Sequence, residues 1–207
     1  MIKIEEYKEP QHNLLSEKFL DSSKLYLPLA QHTGAPSLLC VKKGDEVNEG
    51  DTIAKSNGMI SAQIHAPKKG KIIDIVNWYH PILKKSPAII LQCQDEEKDY
   101  PLKENKDIAS LTKENILEII ANYGIVGMGG AAFPTHVKLN PPKQIDTLII
   151  NGCECEPYLA CDYRLMVENM EEILKGIKLI CRLINPKEII FAIEENKPEA
   201  IKKINFL

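Results

Sequence analysis

The residues best suited to chemistry fall in two clusters. The first is Gly124-Ile-Val-Gly127-Met-Gly129-Gly130-Ala131-Ala132-Phe133-Pro134-Thr135-His136-Val137-Lys138. Closely spaced glycines let a backbone turn tightly and bring its N–H groups against a flat ring or a phosphate without interference from Cβ. Pro134-Thr135 can open a short helix whose first amides favour an anion, and Lys138 adds a point charge. The second cluster is Asn151-Gly152-Cys153-Glu154-Cys155-Glu156-Pro157-Tyr158, directly after the apolar run 146–150. Open α/β sheets bind ligands beyond the carboxyl ends of their strands, which is where these residues sit. Asn151 can hydrogen-bond a ring edge, and Glu154 and Glu156 can accept from sugar hydroxyls or ring N–H groups.

The elements that must position these clusters follow from periodicity. Residues 1–24 are polar and irregular and read as an N-terminal arm. Residues 25–93 alternate short β-type runs with turn signals such as Lys43-Gly44-Asp45, Glu49-Gly50-Asp51 and Asn57-Gly58, the pattern of a small all-β barrel or sandwich. Residues 94–110 are charged and lack apolar periodicity, which suits a linker. From 111 to 207 the rhythm becomes helix, strand, helix, strand, helix, that of an α/β domain. Thr112-Lys-Glu-Asn115 opens the first helix, with Ile116, Leu117, Ile119, Ile120 and Tyr123 on its inner side. Residues 146–150 and 188–193 read as buried parallel strands, and 162–182 as one helix between them. Two strands are few for a self-sufficient doubly wound sheet, so this second domain is expected to be incomplete.

Composition narrows the classes of function. The 207 residues are 44% hydrophobic and 27% charged, with a net charge of −3, an ordinary globular balance with no basic excess for nucleic acid. The N-terminus lacks the apolar core of a signal peptide, and no stretch approaches a membrane span. Reduced thiols in the cytoplasm are therefore expected. Cys153, Cys155 and Cys161 have spacings that match no ferredoxin pattern, so no metal is assigned to them.

Gly44-Asp45-x-Val47-x-x-Gly50-Asp51-x-Ile53-Ala54 and Ile64-His65-Ala66-Pro67-x-x-Gly70 resemble biotinyl and lipoyl domains, which are barrel-sandwich hybrids. The lysine those carriers modify would fall on Met59, whose thioether forms no amide, so a docking or structural module is expected rather than a carrier. His32, in Gln31-His32-Thr33-Gly34-Ala35-Pro36, reads as a hydrogen-bonding spacer. His65 is expected to pack on the barrel surface, and His12 and His80 have no evident constellation.

Taken in order, Gln31-His32-x-Gly34-Ala35-Pro36, Gly127-x-Gly129-Gly130-Ala131-x-Phe133-Pro134-Thr135-His136-Val137-Lys138-Leu139, Asn151-Gly152-x-Glu154-Cys155-Glu156-Pro157-Tyr158 and Asp162-x-Arg164-Leu165-Met166 resemble the RnfC family. Its members are peripheral subunits of ion-pumping Rnf electron-transport complexes. The second domain is also similar to the flavin-binding subunit of respiratory complex I. The resemblance spans about residues 25–193. It implies an α+β two-domain architecture: an N-terminal barrel-sandwich hybrid, then a partial, Rossmann-like α/β domain that binds FMN and NADH.

By matching positions, the resemblance implies that Gly127, Gly129, Gly130 and Lys138 hold FMN, with Asn151 and Glu154 fixing its ring. Phe133 would stack on the adenine of NADH and Glu156 would bind its ribose. No catalytic side chain is implied, because the cofactor carries the chemistry. Electrons would pass from NADH through flavin toward [4Fe-4S] clusters, which the family carries in a C-terminal part beyond these 207 residues. The implied partners are other subunits of an Rnf-type membrane complex. The implied location is cytoplasmic, held at the membrane through those subunits. The alternative is a non-catalytic docking module that has lost stable flavin binding. Ala132 stands where the family usually has glycine; if the backbone there needs positive φ, alanine costs about 1 kcal/mol.

Overall fold

The computed structural model describes residues 5, 7, 8, 15, 16, 22–94 and 110–205. Most of the expected arm and almost all of the expected linker lie outside these residues. The chain forms two compact units: a barrel unit, Leu20–Asn140, and an α/β unit that joins Met1–Phe19 to Pro141–Leu207. The glycine cluster thus belongs to the unit that contains the β domain, and the strand-end cluster to the other.

Among the described residues the barrel unit carries seven strands: β1 (Lys24–Pro28), β2 (Leu38–Leu39), β3 (Glu46–Val47), β4 (Thr52–Lys55), β5 (Ile64–His65), β6 (Gly70–His80) and β7 (Lys84–Cys93). They form a four-stranded sheet in the order β1-β7-β6-β3 and a three-stranded sheet in the order β2-β4-β5. Each turn anticipated from a glycine lets a short strand reverse, and the alternating inward residues close one core. Ile53, Ala54, Ile72, Ile89 and Leu91 are fully buried there, with Val47, Ile64 and Ala66 around them. Burying an aliphatic side chain of this size contributes about 1.5–3 kcal/mol, which is what holds such short strands together.

Helix α1 (Lys113–Asn122) begins where the sequence predicts. The Thr112 hydroxyl accepts from the Asn115 N–H (3.2 Å), and the Asn115 side-chain oxygen accepts from the Thr112 N–H (3.2 Å). This reciprocal cap satisfies two otherwise orphaned donors. The inner face is narrower than expected. Ile116 is buried, whereas Tyr123 is 71% exposed and Ile119 is also exposed. A four-residue helix, α2 (Thr135–Lys138), closes the unit.

In the α/β unit, β8 (Thr147–Asn151) pairs in parallel with β9 (Glu188–Ala192), Ile150 opposite Phe191. The crossover between them is helical but not continuous. It splits into α3 (Cys161–Glu168) and α4 (Met170–Ile184) at Asn169, whose φ of −130° and ψ of 38° lie outside helical values. The single helix expected over 162–182 is therefore corrected to two. Asparagine competes with helical backbone bonding, and both Met166 and Met170 stay buried across the break. α4 ends on Asn185 in the left-handed conformation (φ 44°), a residue that tolerates it. α5 (Pro198–Asn205) follows β9.

Tyr163, Met166, Met170 and Ala200 form this unit's core, with Phe191, Ile193 and Ile204 packed against it. The expectation that both strands would be buried on two faces is also corrected. Ile149 and its cross-strand neighbour Ile190 remain exposed, because the helices cover the opposite face, to which Phe191 belongs.

Candidate functional site

The glycine cluster is a backbone loop closed at its neck. Gly127 N–H donates to Phe133 O (2.9 Å) and Thr135 N–H to Ile125 O (3.0 Å). The neck sits tightly on the barrel. At Gly124 (φ +64°) a Cβ would lie 2.3 Å from the Gln63 carbonyl oxygen, so only glycine fits. The tip is different in kind. A Cβ at Gly129 or Gly130 would meet nothing within 4 Å, and neither has positive φ. The protein's own packing does not demand glycine there, so these positions keep bare backbone on an open face.

Ala132 does adopt positive φ, +45°, which is the condition under which alanine was expected to be strained. The barrel braces this strained stretch. Thr33 N–H donates to Ala132 O (3.3 Å), and the Thr33 hydroxyl donates to Ala131 O. Thr33 is held in turn by its neighbours. His32 Nε2 lies 3.1 Å from Ala62 N, accepting its N–H, and 3.1 Å from Ser61 Oγ. His32 is thus a backbone staple, as the spacer reading expected. Gly34 (φ +110°) lets the turn press on Ile60, whose carbonyl oxygen would be 2.0 Å from a Cβ.

The tip that carriers modify therefore serves as a brace here. Met59 itself is 82% exposed, but its backbone hydrogen-bonds the His136 side chain. Burial pushes the His136 imidazole below its usual value, and its Nδ1 is a buried atom without a hydrogen-bond partner. Lys138 is exposed and Phe133 half-buried. A groove of about 600 Å³ runs beside the loop, with Gly130, Ala131 and Ala132 on one wall and Pro81, Ile82 and Leu83 on another.

In the α/β unit the strand-end cluster is more deeply engaged than expected. The Asn151 side-chain oxygen accepts from Cys153 N–H (3.1 Å), which fixes the turn out of β8. Glu154 is buried at 1% exposure, and its Oε1 accepts from Asp162 N–H (2.7 Å), capping the first turn of α3. Its Oε2 has no hydrogen bond and lies 4.0 Å from the Nζ of Lys197, itself fully buried. Lys197 also bonds the Glu194 carboxylate and Asn196 (3.2 Å). Glu194 accepts from Glu154 N–H (3.2 Å), and the buried Lys8 ammonium donates to Glu154 O. Lys197 holds the Glu194 carboxyl below the usual carboxylate range. Glu156 is exposed beside this network.

Lys197 thus pairs with both glutamates, Lys8 ties the Glu154 carbonyl, and the turn at residues 153 and 154 is fixed. Glu154, expected to touch a flavin ring, here positions a loop. The reading of the sequence overlooked Lys8, Glu194 and Lys197. One signal was present: Glu194-Glu195-Asn196-Lys197 follows β9 as the acidic cluster follows β8. Glu154, Cys161 and Asp162 also approach one another closely enough to share an ion. Burial, then the Asp162 and Glu154 charges, push the Cys161 thiol up, which disfavours the thiolate a metal needs.

Comparison with known proteins gives two consecutive matches. Residues 2–96 match the RnfC barrel sandwich hybrid domain, and residues 120–206 match the Nuo51 FMN-binding domain. A subunit of the proton-translocating ferredoxin:NAD(+) oxidoreductase complex of Clostridium ljungdahlii is 43% identical over 182 residues, 86% of this chain and 40% of that protein. A subunit of the ion-translocating oxidoreductase complex of Rhodobacter capsulatus is 45% identical over 85% of this chain and 35% of its own length. The Haemophilus influenzae protein of the same description is 40% identical over 86% of this chain and 22% of its own. The chain spans less than half the length of these curated relatives.

Proposed function

Because this chain belongs to the RnfC family, we propose that it binds FMN through the glycine loop and serves an electron-transfer subunit of an Rnf-type complex. The observation that carries the reading is the bare backbone at Gly129 and Gly130, where glycine answers no need of the chain itself. A flat ring or a phosphate can approach backbone amides there without meeting a Cβ. Gly127 keeps the neck narrow, and Lys138 supplies an unburied positive charge suited to the phosphate. The unpartnered Nδ1 of His136 leaves one further polar atom beside the loop.

FMN, when bound, supplies hydride acceptance from NADH and release of single electrons toward clusters. The chain's residues bind and orient. Phe133 offers a face for adenine and Glu156 a carboxylate for ribose. Asn151 and Glu154 hold the turn after β8, and the buried Lys197 ammonium lies 4.0 Å from the Glu154 carboxylate. The parallel β8–β9 pair with its helical crossover supports a Rossmann-like reading of this unit. Clusters, NADH oxidation and contact with other subunits are functions of the complete RnfC-type subunit, with the complex at the cytoplasmic face of a membrane.

Titration of FMN against the chain, followed by flavin fluorescence with riboflavin as the phosphate-free control, tests this. Saturable quenching by FMN and much weaker quenching by riboflavin are expected. Equal affinity for both would remove the phosphate from the glycine loop. Absence of binding would favour the docking-module alternative.

A further inference from the structure

The β6–β7 hairpin ends in Trp78-Tyr79-His80-Pro81-Ile82-Leu83-Lys84-Lys85. Ile82 is 78% exposed, Tyr79 72% and Leu83 54%. Single exposed apolar residues are ordinary, but here several meet at one tip, and the chain holds that tip rigidly. His80 Nδ1 accepts from Ile82 N–H (3.1 Å) and Leu83 N–H (3.0 Å). Its Nε2 donates to Ala30 O (2.8 Å), which anchors the ring to the barrel. Lys84 completes the turn at φ +62°, and Lys85 N–H donates to Leu83 O (2.7 Å). His80, which the sequence left without a constellation, therefore fixes the two aliphatic residues in an outward position.

The order of side chains back from the apex is specific. Ile82 and Leu83 come first. Tyr79 and Trp78 follow, and Trp78 stacks on Tyr26 with ring centroids 4.4 Å apart. Lys84 and Lys85 flank the apex, with the Lys85 ammonium 5.5 Å from the centroid of the Tyr79 ring. No acidic residue occurs from Ile75 to Gln92, although the whole chain has a net charge of −3. Aliphatic, aromatic and cationic groups in that sequence match the layers of a bilayer surface: acyl chains, the interfacial belt and anionic headgroups. Two aliphatic side chains on a narrow tip also offer too little area for a stable protein interface by themselves. No helix among the described residues is long and apolar enough to cross a membrane, so any contact made by this tip is superficial.

We propose that the β6–β7 hairpin docks directly on an anionic lipid surface, with Ile82 and Leu83 entering the acyl boundary and Lys84 and Lys85 pairing with headgroups. The inference is independent of the flavin reading. Binding is reversible, because a single shallow contact of this size anchors weakly. Each lysine near the surface contributes about fivefold in affinity.

Trp78 is the only tryptophan in the chain and reports on the tip. The 207-residue chain is mixed with phosphatidylcholine vesicles, with and without phosphatidylglycerol, and followed by co-sedimentation and tryptophan emission. Expected are binding to the phosphatidylglycerol vesicles, a blue shift of Trp78, and weakening by added salt. Ile82→Ser with Leu83→Ser should abolish binding, and Lys84→Gln with Lys85→Gln should reduce it roughly 25-fold. All four positions are exposed, so circular dichroism should be unchanged. No binding to phosphatidylglycerol vesicles, or binding unaffected by the serine pair, would overturn the proposal and leave the tip to a protein partner.

Discussion

Thr33 donates its backbone N–H to the carbonyl oxygen of Ala132, 3.3 Å away, and so ties the turn after β1 to the strained residue of the glycine loop. The Thr33 hydroxyl adds a second tie at Ala131 O. Thr33→Val keeps the shape and removes only the hydroxyl bond, a loss of about 1 kcal/mol. Amide exchange at 128–133 should accelerate, and FMN affinity should fall about fivefold if the loop must be held for binding. Unchanged exchange would mean that the backbone bond alone suffices.

Ala132 sits at φ +45°, where an L-residue with a Cβ is disfavoured by about 1–2 kcal/mol. Glycine relieves this but adds about 0.4–1 kcal/mol of entropy to the unfolded chain. Ala132→Gly should therefore stabilise the barrel unit slightly, by up to about 1 kcal/mol in denaturant unfolding. A loss of stability would show that the alanine methyl makes a compensating contact.

The glycines of one loop should respond in opposite ways. Gly130→Ala places a methyl in open space and should leave the unfolding midpoint unchanged while cutting FMN affinity at least tenfold. Gly124→Ala drives a methyl into the Gln63 carbonyl and should cost about 1–3 kcal/mol of stability. If both variants merely destabilise, the open tip has no role in binding.

Removing Lys197 leaves Glu154 and Glu194 without their buried cation. Lys197→Ala should cost about 3–5 kcal/mol and melt the α/β unit ahead of the barrel. Acid acts on the same network. The folded Glu194 carboxyl titrates below its ordinary value of 4.5, so its stabilising effect is complete above that pH. It is lost as pH falls through the lowered folded value. Glu194→Gln should flatten the stability profile below about pH 4.5, measured by unfolding at successive pH values.

Local chemistry made much of the fold readable. Thr112 and Asn115 announce a helix start because both halves of the cap lie within four residues. The strands at 146–150 and 188–193 were read to within about one residue because apolar runs of that length have few alternatives. Asn169 was missed because Leu165, Met166, Met170 and Ile173 keep helical spacing straight across the break. His32 and His80 looked inert because many of their partners are backbone groups, which leave no mark in a sequence. Lys8 and Lys197 were overlooked because part of what buries them, the Glu154 carbonyl for Lys8 and the Glu154 carboxylate for Lys197, comes from a segment distant in the chain.

The α/β unit is assembled from segments on either side of the barrel unit, and this governs the order in which the protein can be made. Tyr7 stacks on Tyr158 at 5.3 Å, and Ser16 N–H donates to the Glu168 carboxylate (3.0 Å). Lys8 finds Glu154 across 146 positions. At about 5–20 residues per second, the segment around Lys8 waits on the order of ten seconds for those partners to be synthesised. The barrel unit ends at Asn140, so all of it is synthesised before those partners are. Birth order and assembly order are thus reversed for the segment around Lys8. A bulky fusion placed ahead of that segment would burden the last unit to fold rather than the first.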